Sequence, residues 1–354
     1  MGKIMPLIQT LPQGKLDIIG DIHGQYEALQ NLLHYLGYDP NGKHPQGRKI
    51  VLVGDLVDRG ENSPAVLAWF QQAHQLGYAY MVLGNHEINL LMNEPKDGSG
   101  WFFNSRAEKD AHNYAPWERL PENQKRHLID FLKTQPLVLQ RSDLRIVHAA
   151  WLPESIAKLA EHNHEDIVNL HQEWEEHHHC CTKHAPWFDA YLQEQRQHAH
   201  DLENPSKTPP MLHYTAIHDV YKSTINPIRA LTCGIETVAV EPFYASGRWR
   251  FSVRYPWWDD YQDAVPIIIG HYWRQWHNTR KPPKHRENTF TVPPHHWHGA
   301  RNNVFCCDFS VGARWRDRKK AIAPSQSEYR LAALRFPEKT LVFDNGEIVQ
   351  TQFG

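Results

Sequence analysis

Four times in this chain a short apolar run stops at a glycine and passes to a side chain that can ligate a cation. Ile18-Ile19 leads to Gly20-Asp21, and Val51-Leu52-Val53 to Gly54-Asp55. Val82-Leu83 leads to Gly84-Asn85, and Ile267-Ile268-Ile269 to Gly270-His271. A fifth run, Leu144 to Val147, ends directly at His148. Runs this short, bounded by turn residues, read as buried strands. Helical periodicity fills the gaps between them. Ala28, Leu29, Leu32, Leu33 and Leu36 share a helical face within 27–38, a helix opens at Ser63-Pro64 with Ser63 as the expected N-cap, and a third occupies 121–134. This alternation predicts an α/β layer fold. In open α/β sheets the functional crevice lies beyond the carboxyl ends of the strands. The order of elements therefore allows Asp21, His23, Asp55, Asn85, His148 and His271 to converge on one place.

Further strands are predicted at 265–269, 303–309, 330–336 and 340–343. Between them, residues 153–263 differ in texture, being rich in His, Trp, Tyr and Pro with patchy helical periodicity. We read residues 1–354 as a single domain with 153–263 as a segment inserted into it, expected to form a lid or wall over the site that sets substrate choice. Pro282-Pro283 and Pro293-Pro294 bracket a basic loop over 279–291.

The donor set has a chemistry of its own. Mixed carboxylate, imidazole and amide ligation suits manganese, iron or zinc and is too rich in nitrogen for a calcium cage. Two cations need a carboxylate to share, and Asp55 is the middle of the set. A formal charge of −2 gives no electrostatic case for a dedicated nucleic-acid or membrane-surface binder. The first residues lack a signal-peptide pattern, no run is long enough for a membrane span, and the five cysteines include two adjacent pairs and no CxxC. A cytoplasmic location is the expectation.

The blocks Gly20-Asp-Ile-His-Gly24, Gly54-Asp-Leu-Val-Asp-Arg-Gly60 and Gly84-Asn-His-Glu87 occur in that order, with Asp21, Asp55 and Asn85 spaced 34 and 30 residues apart. Together with His148 and His271 they resemble the calcineurin-like metallophosphoesterases, and specifically the phosphoprotein phosphatase branch. The resemblance implies a four-layer αββα sandwich of mixed β-sheets flanked by helices. It implies that Asp21, His23 and Asp55 hold one divalent metal and that Asp55, Asn85, His148 and His271 hold a second, with manganese the leading candidate and iron or zinc the alternatives. It further implies a water nucleophile activated by both metals, Arg59 clamping phosphate oxygens, and His86 protonating the leaving oxygen with Asp58 orienting it. Other metallophosphoesterases often carry a second His two residues after the last ligand. Here Trp273 stands there, as in the phosphatase branch, which also lacks that His.

Other segments are similar to bacterial bis(5′-nucleosyl)-tetraphosphatases: Asn226-Pro-Ile-Arg229, Pro256-Trp257-Trp258, Gly270-His-Tyr-Trp273 and Leu90-Leu91 after the third block. That similarity makes Arg229 a second phosphate-clamp candidate. Against it, Asp58 and Glu87 depart from those enzymes' usual blocks. The expected function is hydrolysis of a phosphomonoester or phosphoprotein. A dinucleoside polyphosphate is the alternative substrate, and an inactive metal-binding scaffold is the reading from another class. Substrates expected are therefore a phosphorylated small molecule, a phosphoprotein or a nucleotide.

The chain also has 25 His among 354 residues, nine of them within 161–200. His177-His178-His179-Cys180-Cys181 matches no ordinary zinc spacing, and a solvated polar lid is the plainer reading. Trp257-Trp258 is open to stacking a nucleobase or to lid packing, and the basic run Arg314 to Lys320 reads as a solvated loop.

Overall fold

The computed structural model describes residues 5–245, 247–276 and 289–353. Most of the predicted basic loop, residues 279–288, lies outside the described residues. The chain runs β1 (Ile8–Thr10), β2 (Leu16–Ile19), α1 (Tyr26–Leu36), β3 (Lys49–Leu52), α2 (Ser63–Gln75), β4 (Ala79–Met81), α3 (Asn85–Leu91), α4 (Asn104–Tyr114) and α5 (Glu122–Leu132). It continues through β5 (Val138–Arg141), β6 (Leu144–Val147), α6 (Pro153–Glu161), α7 (Ile167–Lys183), α8 (Phe188–His198), α9 (His213–Ile225) and α10 (Pro227–Cys233). Then come β7 (Glu236–Ala245), β8 (Arg248–Arg254), β9 (Ile267–Ile269), β10 (His296–Trp297), β11 (Val304–Cys306) and α11 (Trp315–Arg318). Strands β12 (Ala332–Phe336), β13 (Thr340–Phe343), β14 (Ile348–Gln350) and β15 (Gln352–Phe353) finish the chain.

Two mixed sheets result, ordered β1-β5-β6-β9-β11 and β14-β13-β12-β2-β3-β4. Register sorts their side chains. Ile18 pairs with Val51 and Leu334, and Ile146 with Ile268 and in turn Phe305. All six lie in one core cluster drawn from both sheets. Their sequence neighbours Ile19, Leu52, Ala333, Val147, Ile267 and Ile269 belong to a second cluster, packed with Leu29 and Leu33 of α1 and with Val66 and Phe70 of α2. One face of each sheet thus meets the other sheet and the opposite face meets helices, which is the αββα sandwich. Burying each such aliphatic side chain contributes roughly 2 kcal/mol.

Two local expectations change. The N-cap of α2 is Asn62, whose side chain accepts the Ala65 N–H at 2.9 Å. Ser63 is already helical, and its hydroxyl accepts the Asp58 N–H instead. Residues 153–263 are also more regular than their periodicity indicates. They hold α6 to α10 and the β7–β8 hairpin, including the 17-residue α7. Leu202, Leu212, Ala216, Trp249 and Phe251 give this segment a small core of its own. It joins β6 to β9, which are parallel neighbours. It thus leaves the sheet just after His148 and returns through β9, which ends two residues before His271. Among the described residues, no helix is long and apolar enough to cross a membrane.

Candidate metal centre

Strands β2, β3, β6 and β9 deliver Asp21, Asp55, His148 and His271 just beyond their carboxyl ends, and the N-terminus of α3 adds Asn85 and His86. Close approach of these loops depends on glycine. A Cβ at Gly84 would stand 2.3 Å from Asp55 Oδ1, and one at Gly270 would stand 2.0 Å from Asp21 Oδ1. The backbone is strained where the chemistry sits. His23, Asp55, Asp58, Arg59, His271 and Trp273 all have φ between 47° and 74°. Left-handed conformations cost L-residues energy and persist only where the surroundings enforce them.

Two donor clusters share Asp55. His23, Asp55 and His86 form one, and Asp55, His148 and His271 the other, with the ligating atoms of each within 4.8 Å of one another. The imidazoles are oriented from behind. His23 Nδ1 donates to the Val57 carbonyl at 3.0 Å and His148 Nδ1 to the Val53 carbonyl at 2.7 Å. Each therefore turns Nε2 toward Asp55 Oδ2, at 3.8 and 3.4 Å. Asn85 Oδ1 lies 3.3 Å from His148 Nε2 and 2.9 Å from His271 Nδ1. Asp21 accepts the His271 N–H at 3.0 Å.

The electrostatics fit a cation. Burial, with Arg59 and His86 adding to it, holds His23 well below the usual imidazole range. Burial, Arg254 and His148 do the same to His271. Both favour the neutral imidazole that metal ligation requires. At His148, by contrast, burial is outweighed by Asp55, which pushes it up to about 10, so that a proton there answers the negative charge a cation would meet. Burial and the neighbouring carboxylates Asp308 and Asp55 push Asp21 well above the carboxylate range. A buried group of carboxylates is costly unless positive charge is supplied. The residues present therefore suit divalent metal, with Asp55 the one carboxylate common to both clusters.

The remaining predicted residues divide. His86 Nδ1 lies 2.5 Å from Asp58 Oδ2, while the other Asp58 oxygen accepts the Trp101 indole N–H at 2.5 Å. Arg59 Nη1 donates to His23 Nε2 at 2.9 Å, and its guanidinium covers the Trp273 ring at 4.7 Å. Arg229, at the start of α10, is held by Glu175 of α7 at 3.1 Å and, among the described residues, makes no hydrogen bond or ion pair to a member of the two clusters. Trp257 and Trp258 are both buried, and Trp258 stacks on Phe290. In the run beginning at Arg314, Arg314 itself is buried and pairs with Asp344 at 2.6 Å, and Arg318 pairs with Glu61 at 3.2 Å. No cluster of metal ligands is found at His177 to His184 among the described residues.

Two supporting residues escape sequence reasoning. The buried Glu87 carboxylate accepts the N–H groups of Asp55, Leu56 and Gly84 at 2.8, 2.8 and 2.9 Å, tying the second and third blocks together. Its place three residues after Gly84, at a helix start, is the capping-box spacing that signals it. Buried Asp308 accepts the N–H of Trp273 at 2.7 Å and of Ser310 at 2.8 Å. It too follows an apolar strand, the same pattern that marks Asp21 and Asp55.

Comparison with known proteins places this geometry. The chain is 37% identical over 137 residues to the symmetrical bis(5′-nucleosyl)-tetraphosphatase of Chromobacterium violaceum, covering 38% of this chain and 43% of that protein. It is 32% identical over 154 residues to an asymmetrical bis(5′-nucleosyl)-tetraphosphatase of Oceanobacillus iheyensis, covering 40% and 58%. The chain thus spans about half the length of the curated relatives it matches. The crystal structure of a cold-active protein-tyrosine phosphatase from a psychrophilic Shewanella species aligns over 99% of this chain and 83% of its own, at 17% identity and a TM-score of 0.47. Residues 14–293, most of the sequence and every donor described above, match the calcineurin-like phosphoesterases, and the chain belongs to that family.

Proposed function

We propose that this chain hydrolyses phosphate bonds at a dinuclear metal centre and that dinucleoside polyphosphates are its leading substrates. The sharing of Asp55 between two donor clusters, buried but for a half-buried His271, carries the chemical part of this reading. The substrate part is supported by the two curated relatives, both named as bis(5′-nucleosyl)-tetraphosphatases.

Asp21, His23 and Asp55 would hold one cation, with His86, the third member of that geometric cluster, kept for proton transfer, and Asp55, Asn85, His148 and His271 would hold the other. The donor chemistry suits manganese, iron and zinc alike, and manganese leads on the family resemblance. Two bound cations supply positive charge to the phosphoryl oxygens and make water acidic enough to act as a nucleophile at neutral pH. The chain's own residues do the rest. Arg59 presents a planar fork to phosphate oxygens, with Trp273 covering its face. His86 keeps Nδ1 on Asp58, so Nε2 faces the cluster and can hand a proton to the departing oxygen. Arg229 would join as a second clamp by exchanging Glu175 for substrate phosphate. The 153–263 segment would wall the cleft and set substrate choice. The cysteines described are all unpaired, which supports the cytoplasmic location proposed for the chain.

The His86–Asp58 pair favours a second reading, a phosphomonoester or phosphoprotein substrate. An alkoxide leaving group needs a proton far more than a phosphate leaving group does. The test is a substrate comparison on chelated enzyme reloaded with Mn²⁺. The first reading expects kcat/KM for diadenosine tetraphosphate to exceed that for para-nitrophenyl phosphate and a phosphoserine peptide by about tenfold or more, a difference of about 1.4 kcal/mol in transition-state binding. The reverse order supports the second reading. No turnover of any of the three by metal-loaded protein makes it an inactive scaffold and contradicts both.

A further inference from the structure

We propose that a cavity at the root of the inserted segment, separate from the metal centre, binds a small aromatic amine or amidine. The cavity has a volume of about 680 Å³, within the range of small-molecule sites. Its floor is the helix-facing side of the first sheet, where Ile8, Gln140 and Arg145 emerge from β1, β5 and β6. Both ends of the insertion close over that floor. Trp151, Ile156 and Ala157 line it where the segment departs, and Tyr255, Trp257 and Tyr261 where it returns. Four aromatic rings in one small space suit a flat, apolar ligand body.

The polar groups select the charge. Arg145 Nη1 lies 2.6 Å from Asp263 Oδ2 and donates to the Tyr261 hydroxyl at 2.6 Å, while its guanidinium covers the Trp151 ring at 4.7 Å. Its charge is therefore already matched. The Tyr261 hydroxyl donates to the Val265 carbonyl at 2.8 Å and the Tyr255 hydroxyl to Asp260 Oδ2 at 2.5 Å. The Trp257 indole N–H is spent on the Ala149 carbonyl at 3.1 Å. These donors are committed, whereas Asp260 and Asp263 set two carboxylates against one guanidinium at the rim. A ligand that donates hydrogen bonds meets these two carboxylates, the Gln140 and Gln262 amides can serve either polarity, and a positive charge adds attraction to both the carboxylates and the ring faces. Phosphate-bearing molecules meet the opposite field, which separates this cavity from the metal centre in ligand class. Trp257 also ties it to that centre, since Ala149 follows His148 and the indole lies 3.2 Å from the hydroxyl of Tyr272, which follows His271.

Benzamidine and benzoate, matched in shape and opposite in charge, test this on the metal-loaded enzyme by calorimetry. Benzamidine is expected to bind saturably and benzoate about tenfold more weakly or not at all, as a charge-selective aromatic site requires. Ala157→Trp, an exposed position on α6 at the cavity, is expected to abolish benzamidine binding, and Asp260→Asn to weaken it about threefold or more. Both variants should retain wild-type turnover of para-nitrophenyl phosphate. Absence of saturable benzamidine binding, equal binding of benzoate, or benzamidine binding untouched by Ala157→Trp would each overturn the proposal.

Discussion

The Arg59 guanidinium lies over the Trp273 indole at 4.7 Å, and the Trp273 backbone is itself fixed by Asp308, which accepts its N–H at 2.7 Å. A flat cation resting on a flat ring has its N–H edge aimed in one direction. Lysine keeps the charge and loses both the face and the fork. Arg59→Lys is expected to lower kcat/KM by roughly 10²-fold, within the range for loss of a charge-stabilising group. Trp273→Ala should produce a smaller loss in the same direction, because the arginine survives without its platform. Steady-state kinetics on para-nitrophenyl phosphate check both, and a lysine variant with wild-type kcat/KM would contradict the clamp.

His86 is anchored through Asp58, so its contribution should depend on how much the leaving group needs a proton. His86→Asn is expected to cost roughly 10²- to 10³-fold in kcat on alkyl phosphates and markedly less on para-nitrophenyl phosphate. Asp58→Asn should follow the same trend with smaller losses. A uniform loss across leaving groups would assign His86 a different role.

Glu87 holds three backbone N–H groups from two loops. In Glu87→Gln one acceptor oxygen becomes an NH₂ facing those donors. The expected result is metal affinity weakened roughly 10- to 100-fold, the usual cost of disturbing groups behind a metal site. Stability should fall by about 1–3 kcal/mol, since a buried donor loses its partner. Metal-binding titration and chemical denaturation of the variant measure the two effects separately.

Far from the site, Glu338 offers a pH test. Burial alone would raise its carboxyl, but hydrogen bonds from Arg48 and Lys15 outweigh that and hold it down at about 2, against an ordinary 4.5. A carboxylate depressed in the folded state stabilises it above its unfolded pKa and loses that contribution as pH falls through the folded one. Glu338→Gln should therefore lower the melting temperature at neutral pH, and the difference from wild type should shrink between about pH 4.5 and 2. A difference independent of pH across that window would show that the charge does not matter there.

The donors were legible because strand ends are marked twice, by an apolar run and by a glycine whose missing side chain another loop fills. Asp21, Asp55, Asn85 and His271 follow that rule, and His148 carries the apolar run without the glycine; Asp55, His148 and His271 fall in one donor cluster, with Asn85 and Asp21 hydrogen-bonded to its histidines. Glu87 and Asp308 carried the same local signs, a capping-box spacing and a strand end, but their work is done on backbone N–H groups distant in sequence, which no local pattern displays. The insertion is the least legible part of the chain. His171 and His178 of α7 are buried, and His178 packs near the rings of His218 and Tyr221. Residues that count as polar in a periodicity therefore act as the apolar face of the longest helix described. Ser63 and Asn62 show the ordinary limit at a helix end, where adjacent residues are both good caps and only hydrogen bonding decides between them.

In the proposed centre one carboxylate, Asp55, serves two metal ions. Equilibrium dialysis of Asp55→Asn against Mn²⁺, beside the wild type and His271→Asn, tests it most directly. Two ions are expected per wild-type chain, with loss of both in Asp55→Asn and retention of one in His271→Asn. An Asp55→Asn variant that still holds both ions with wild-type affinity would contradict it.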